Sequence, residues 1–222
     1  LNGTQNFTHD DARDVLIKNG LVSSSGAIGQ EAVNRSVRDD RSLDPLYNQL
    51  KMYSEVYRML GWYRPGTMRT NFNFTELSDY VNEPSETLRK RLFEECLLGI
   101  TFPNHLVENR SETTIRPFAF LLKLMQSLGG VIHRDEIILG ALNLQDDTIP
   151  DTLEKQTSYI EALRGSLPRL QSEVNSLATG DKVQVNTLHN YTRFPLGSLK
   201  FTDWAEDVRN RTLYGRPVAV SY

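Results

Sequence analysis

The chain has one cysteine, Cys96, in 222 residues. That excludes an intrachain disulfide framework and any zinc site built on cysteines. It fits a reducing, intracellular compartment. No apolar run approaches the roughly 18 residues that span a bilayer, and no charged-then-apolar leader opens the sequence. These absences predict a cytoplasmic protein with no membrane partner. Cations are not in excess either: 25 Lys and Arg against 28 Asp and Glu give a formal net charge of −3. The basic bias of many nucleic-acid binders is therefore missing from the molecule as a whole. The histidines His9, His105, His133 and His189 form no metal-ligand spacing. No phosphate loop, dinucleotide fingerprint or nucleophile elbow occurs. Seven Asn-x-Ser/Thr triplets do occur. With one cysteine and no leader, they read as chance in an Asn-rich chain.

Two short motifs hint at chemistry and fail on spacing. Pro150-Asp151 with Glu154-Lys155 has the residue types of a metal-dependent nuclease. That chemistry needs carboxylates and a lysine converging on a metal from separate strands, whereas these fall within one helical turn. His133-Arg134-Asp135 matches a kinase tripeptide, but Gly140 stands where an Asn is required. No catalytic residue and no metal ligand is assigned, and no cofactor is expected within these residues.

What the chain does have is a helix, a glycine stop and a second helix, from Thr113 to Leu144. Pro117 suits a first helical turn, where its missing N–H has no partner to lose. Phe118, Leu121, Leu122, Leu124, Met125 and Leu128 form one wide apolar stripe. Gly129-Gly130 ends it. A second helix is predicted from about His133, with Ile137, Ile138 and Leu142 facing the first. This is the front half of a helix-turn-helix, or else a plain αα-hairpin.

Elsewhere, residues 1–20 predict a polar lead-in and a short helix, capped by Thr8 and burying Ala12, Val15 and Leu16. Residues 21–42 read as polar loop or weak helix. A firmer helix runs from Pro45 to Leu60, stopped by Gly61. Trp62, Tyr63, a Pro65-Gly66 turn and an alternating strand from Met68 to Phe74 follow, as at the last helix and wing of a winged helix. Ser85 caps a helix to Leu98, with Cys96 read as a buried small hydrophobe. Two amphipathic helices cover Pro150–Leu163 and Ser166–Leu177, interrupted at Gly165 and Pro168. Ala178–Val185 and Asn190–Pro195 read as loops. Thr202 is expected to cap a helix to Leu213, followed by a strand at Val218–Tyr222. The start without methionine and the end inside a wing predict a piece of a longer protein.

Charge is uneven along the chain. From Lys182 to the end there are six Lys and Arg against three acids; from Gly130 to Gly180 there are four against eight. A mildly basic end can meet phosphates.

Several segments in order resemble one family. They are Phe102-Pro103-Asn104, Ile115-Arg116-Pro117-Phe118 with its Gly-Gly stop, Arg134-Asp135-Glu136-Ile137, and Phe201-Thr202-Asp203-Trp204-Ala205 through Tyr214-Gly215. With Phe72-Asn73-Phe74-Thr75-Glu76-Leu77, they look like the DNA-recognition region of the AlwI family of type IIS restriction and nicking endonucleases. The resemblance implies winged-helix modules that read an asymmetric DNA site. It also implies a separate metal-dependent nuclease domain, or a nuclease subunit, that is absent from this chain, with Mg2+ serving that domain.

The expected architecture is mainly α with short β-wings: tandem winged-helix (helix-turn-helix) modules joined by helices. It divides into a winged-helix-like module at 1–82, a helical linker at 83–112, a helix-turn-helix module with long helices at 113–180, and a helix with a partial wing at 181–222. The expected partner is double-stranded DNA. Arg reads guanine edges, while Lys and hydroxyls position phosphates. The predicted contacts are Arg64 and Arg69 by the first wing, His133 and Arg134 at the middle turn, and Tyr191, Arg193, Lys200, Arg209, Arg211 and Arg216 toward the end. The competing expectation is a helical protein–protein interaction module, favoured by the acidic balance.

Overall fold

The structure is a computed structural model. It describes residues 45–63, 71–72, 74–104 and 112–206, together with short pieces at 7–8, 15–16, 19, 23–24, 27–28, 30–31, 34, 212–213, 216–217 and 220–221. The described chain is mainly helical. It forms two compact units, Leu1–Pro84 and Ser85–Tyr222.

In the first unit, strand β1 (Phe7–Thr8) and the hairpin strands β2 (Ser23–Ser24) and β3 (Ala27–Ile28) precede helix α1 (Pro45–Met59). Strand β4 (Asn71–Phe72) and a 3-10 helix (Glu76–Asn82) follow it. Thr8 thus sits in a strand rather than capping a helix, because Thr8 and Phe7 pair with Asn71 and Phe72. Residues 21–42 contain the β2–β3 hairpin, not only loop or weak helix. Helix α1 ends as its glycine requires. Gly61 takes φ 74°, a left-handed conformation that costs glycine little. There the Trp62 N–H donates to the Tyr57 carbonyl at 2.9 Å and the Gly61 N–H to the Arg58 carbonyl at 2.9 Å. That double bond pattern is a Schellman stop.

The chain then pairs back on itself. Tyr63 bridges antiparallel to Phe74, and the Thr75 hydroxyl donates to the Gly61 carbonyl at 2.8 Å. Asn71 and Phe72 thus pair with β1, and Phe74 with Tyr63. Leu50 and Tyr63 form the small core, with Leu16 and Tyr57 packed on them. Tyr63 meets Phe74 edge-on at 4.9 Å and Tyr57 at 5.5 Å, the offset that aromatic quadrupoles prefer.

The second unit opens with α2 (Glu86–Gly99), capped by Ser85, whose Oγ accepts the Leu88 N–H at 3.3 Å. Helix α3 (Pro117–Ser127) follows, with proline in its first turn. Gly129 and Gly130 both take φ 82°. Their N–H groups close on Gln126 and Met125, the same stop as after α1. Strand β5 (Val131–Ile132) leads into α4 (Arg134–Ile137), which continues as a π-helical turn over Ile138–Leu142. Then come α5 (Thr152–Arg164), α6 (Leu167–Gly180), α7 (Val185–Tyr191) and α8 (Arg193–Lys200). Strands β6 (Thr212–Leu213) and β7 (Arg216–Pro217) form a hairpin, and β8 (Val220–Ser221) pairs antiparallel with β5.

The core sits where α3, α4 and α5 meet. Phe118, Leu121, Leu124, Met125, Leu128, Ile137, Ile138, Ile160 and Leu163 are buried, as the apolar stripe predicts; Leu122 and Leu142 are only half-buried. Gly140 makes the crossing possible. A Cβ there would lie 2.8 Å from Leu124 Cδ2 and 3.3 Å from Ile160 Cγ1. The π turn and the missing side chain together let the helices approach.

Four other expectations change. Ala178–Val185 is not loop throughout. Helix α6 runs through Gly180, because Leu170, Val174 and Ala178 bury one face. The left-handed residue that ends it is Lys182, at φ 55°. Asn190–Pro195 is helical on both sides of Thr192. The break falls there because Pro195 has no N–H to offer the Tyr191 carbonyl. Thr202 does not open a long helix. Its hydroxyl donates to the Leu199 carbonyl at 2.6 Å, which closes α8, and Thr212–Leu213 is strand. Helix α2 holds the turn that follows: Glu94 accepts the Asp203 N–H at 2.7 Å, Lys90 pairs with Asp203, and Phe93 meets Phe201 edge-on at 5.1 Å. Cys96 is half-buried rather than buried.

Candidate nucleic-acid interface

The turn between α3 and α4 is built on buried charge. Ile132 carries the chain inward and is fully buried. His133 then caps α4: its Nδ1 accepts the Asp135 N–H at 3.2 Å, while Glu136 reaches back to the His133 N–H at 2.9 Å. That reciprocal capping box satisfies two of the donors a helix start leaves open. It buries His133, Asp135 and Glu136 together.

A buried carboxylate needs a partner, and each of these two has one. Arg164, from the last turn of α5, grips Glu136 with Nε at 2.9 Å and a terminal nitrogen at 3.1 Å. The same guanidinium donates to the Leu128 carbonyl at 2.6 Å and to the Val131 carbonyl. One side chain thus ties the end of α3, strand β5, the start of α4 and the end of α5. Asp135 accepts from or pairs with His189 Nε2 of α7 at 2.9 Å, and Arg134 Nε lies 3.5 Å away. This second contact brings α7 against the start of α4.

The predicted contact residues are placed as follows. His133 is buried, and its ring is committed to the cap. Arg134 is part-exposed beside Asp135. Tyr191 is 57% exposed and helps line a recess of about 100 Å³ with Ile138, Leu142, Leu177 and Leu188. That volume is well below the several hundred Å³ of a cofactor pocket. Arg193 and Lys200 are both exposed on α8. Seven residues apart, they share one side of that helix, two turns from each other. The opposite side is buried, through Pro195, Ser198 and Leu199. Phe194 meets Phe118 of α3 edge-on at 5.7 Å. Arg216 pairs with Leu213 in the β6–β7 hairpin. Arg64, Arg69, Arg209 and Arg211 lie outside the described residues.

The structure therefore gathers Arg134 and His189 around Asp135, and sets Arg193 and Lys200 along α8. Sequence reasoning missed His189, since nothing links it to Asp135 across the intervening helices before the chain folds. It also missed Glu136 and Arg164. A capping-box spacing at His133 and Glu136 was the available signal for the first; Arg164 carried none. Among the described residues no group of three metal-binding side chains is close enough to hold an ion, and no helix is long and apolar enough to cross a membrane. No protein-family model matches the chain, and no curated protein matches it.

Proposed function

We propose that this chain recognises double-stranded DNA through two winged-helix-like units, as the recognition region of a type IIS-like restriction or nicking endonuclease. One observation carries the reading. In each unit a late strand returns to pair with a strand or bridge from earlier in that unit. In the second unit β8 follows the β6–β7 hairpin and pairs with β5, between α3 and α4. In the first, Asn71 and Phe72 pair with β1, and Phe74 with Tyr63, just after α1. A returning wing strand against an early strand, around a helix-turn-helix, is the winged-helix arrangement, which presents a helix to the major groove. The exposed cations of α8 and the aromatic Tyr191 supply chemistry suited to phosphates and bases. Arg64, Arg69, Arg209, Arg211 and Arg216 remain proposed contacts of the same kind. A Mg2+-dependent nuclease domain or subunit would do the cutting.

The test is selection from random duplex DNA with the 222-residue chain, followed by anisotropy titration at two salt concentrations. Enrichment of a short asymmetric site, with affinity falling as salt rises, supports the reading. A folded chain that enriches nothing and binds no duplex at low salt overturns it in favour of a protein–protein interaction module.

A further inference from the structure

Helix α2 buries only one of its sides. Leu97 is fully buried, Phe93 meets Phe201 edge-on at 5.1 Å, and Lys90 and Glu94 hold Asp203. The side opposite Phe93 faces out. Leu88 is 54% exposed and Leu98 40%, and the side chains of Arg91 and Glu95 are 76% and 68% exposed. Thr87 and Gly99, small residues at the margins of this face, are exposed too.

Positions 88, 91, 95 and 98 recur at intervals of three, four and three, the spacing of the seam along which coiled-coil helices meet. Leucines occupy the ends of this seam and opposite charges its middle. The four are also symmetric about position 93. Leu88 and Leu98 lie equally far to either side of it, and so do Arg91 and Glu95. Turning the helix end over end about that point lays each leucine on the other's place and each charge on its opposite. Within one chain Arg91 Nε is 3.6 Å from Glu95 Oε1, a loose pair in water that stabilises little.

We propose that this face docks on the same face of a second copy of the chain, as an antiparallel, two-fold pair of α2 helices. Leu88 packs against Leu98 of the partner subunit, and Arg91 meets Glu95 of the partner subunit. Charge fixes the direction. A parallel pair would set arginine on arginine and glutamate on glutamate, whereas the antiparallel pair sets each against its opposite. Two-fold symmetry makes every contact twice, so four positions supply two ion pairs and two leucine contacts. The seam is about 15 Å long. Its area falls at the low end of interfaces, below about 1,200 Å² in total, where association is weak and reversible. This α2 pairing goes beyond the DNA-recognition reading and does not rest on it.

The test is sedimentation equilibrium of the full chain at concentrations up to roughly 200 µM, the regime of weak contacts. The wild type is expected to gain mass toward a dimer as concentration rises. Arg91→Glu and Glu95→Arg should each weaken that association by at least about tenfold, because each sets like charges together. Both positions are exposed, so each variant should keep the wild-type melting temperature. An equimolar mixture of the two variants should recover association, since every charge in the mixed pair again meets its opposite. A wild type that stays monomeric over that range overturns the pairing and leaves the face to solvent or to another protein. A dimer that neither reversal weakens, or a mixture no more associated than either variant alone, overturns it as well.

Discussion

Replacing Arg164 with methionine should be among the most damaging single changes in the second unit. Methionine keeps much of the side chain's length and apolar contact but removes the charge. Glu136, whose side chain is fully buried, would lose both guanidinium contacts, at 2.9 and 3.1 Å. The Leu128 carbonyl, left over at the end of α3, and the Val131 carbonyl would each lose a donor. Removing one partner of a buried ion pair costs about 3–5 kcal/mol, because the other charge stays desolvated and alone. The stranded carbonyls fall within that range rather than adding to it, since water entering the gap would reach all three groups. Glu136→Gln should cost less, about 1–3 kcal/mol, because an amide oxygen can still accept the His133 N–H. The double variant should be more stable than the sum of the singles predicts, by about 1–3 kcal/mol. The two units carry one tryptophan each, Trp62 and Trp204, so a Trp62→Phe background leaves Trp204 as reporter of the second unit in urea titrations. A loss under about 1 kcal/mol for Arg164→Met, the value of an exposed ion pair, would refute the claim that this network holds the α3–α4 turn.

Three further outcomes follow from the packing and the phenols. Gly140→Ala should destabilise the second unit by about 1–3 kcal/mol, and a crystal structure of the variant should show Leu124 or Ile160 displaced; an unchanged urea midpoint would contradict the crowding. Burial, with the neighbouring Tyr57, pushes the Tyr63 phenol far above its ordinary value, and burial raises Tyr57 too. Folded values above unfolded ones mean the stability is fully present below about pH 10 and lost as pH rises beyond it. Denaturant titrations of the first unit at rising alkaline pH should show that loss, shallower in Tyr63→Phe; equal slopes would dissociate Tyr63 from it. Asp135→Ala should release α7 from α4, read as faster amide exchange across Val185–Tyr191 with α5 and α6 unchanged; uniform exchange would mean the His189 contact does not anchor α7.

The helices that were legible in sequence are those whose reasons are local. Proline at the start of α1 and α3, serine before α2 and glycine after α1 and α3 each act within one turn. The wing-like strand at Asn71–Phe72 was legible by alternation, but its pairing with Phe7–Thr8 was not, because a two-residue strand has almost no period to read. The stretch after Gly180 failed for a related reason. Small polar residues from Ala178 on suggest a loop, yet the helix runs to Gly180 because Leu170, Val174 and Ala178 anchor it from below. Thr202 failed because one hydroxyl can close the helix before it as well as open one after it, and contacts with Lys90 and Glu94 of α2 decided between them.

The site divides along the same line, and the division says what kind of site this is. Arg193 and Lys200 were nameable from sequence because an exposed cation keeps its character wherever the chain carries it. His133 was nameable too, but the fold buries it and places its ring on the α4 cap. Asp135, Glu136, Arg164 and His189 became a unit only when α5 and α7 closed on α4. These four hold elements in place, and none needs a ligand to account for its burial. The α8 face is the reverse case: Arg193, Gly197 and Lys200 are exposed, and a glycine inside a helix costs it backbone entropy. Buried charge here fixes a turn, and the DNA contacts proposed above are sought instead among exposed side chains such as Arg193.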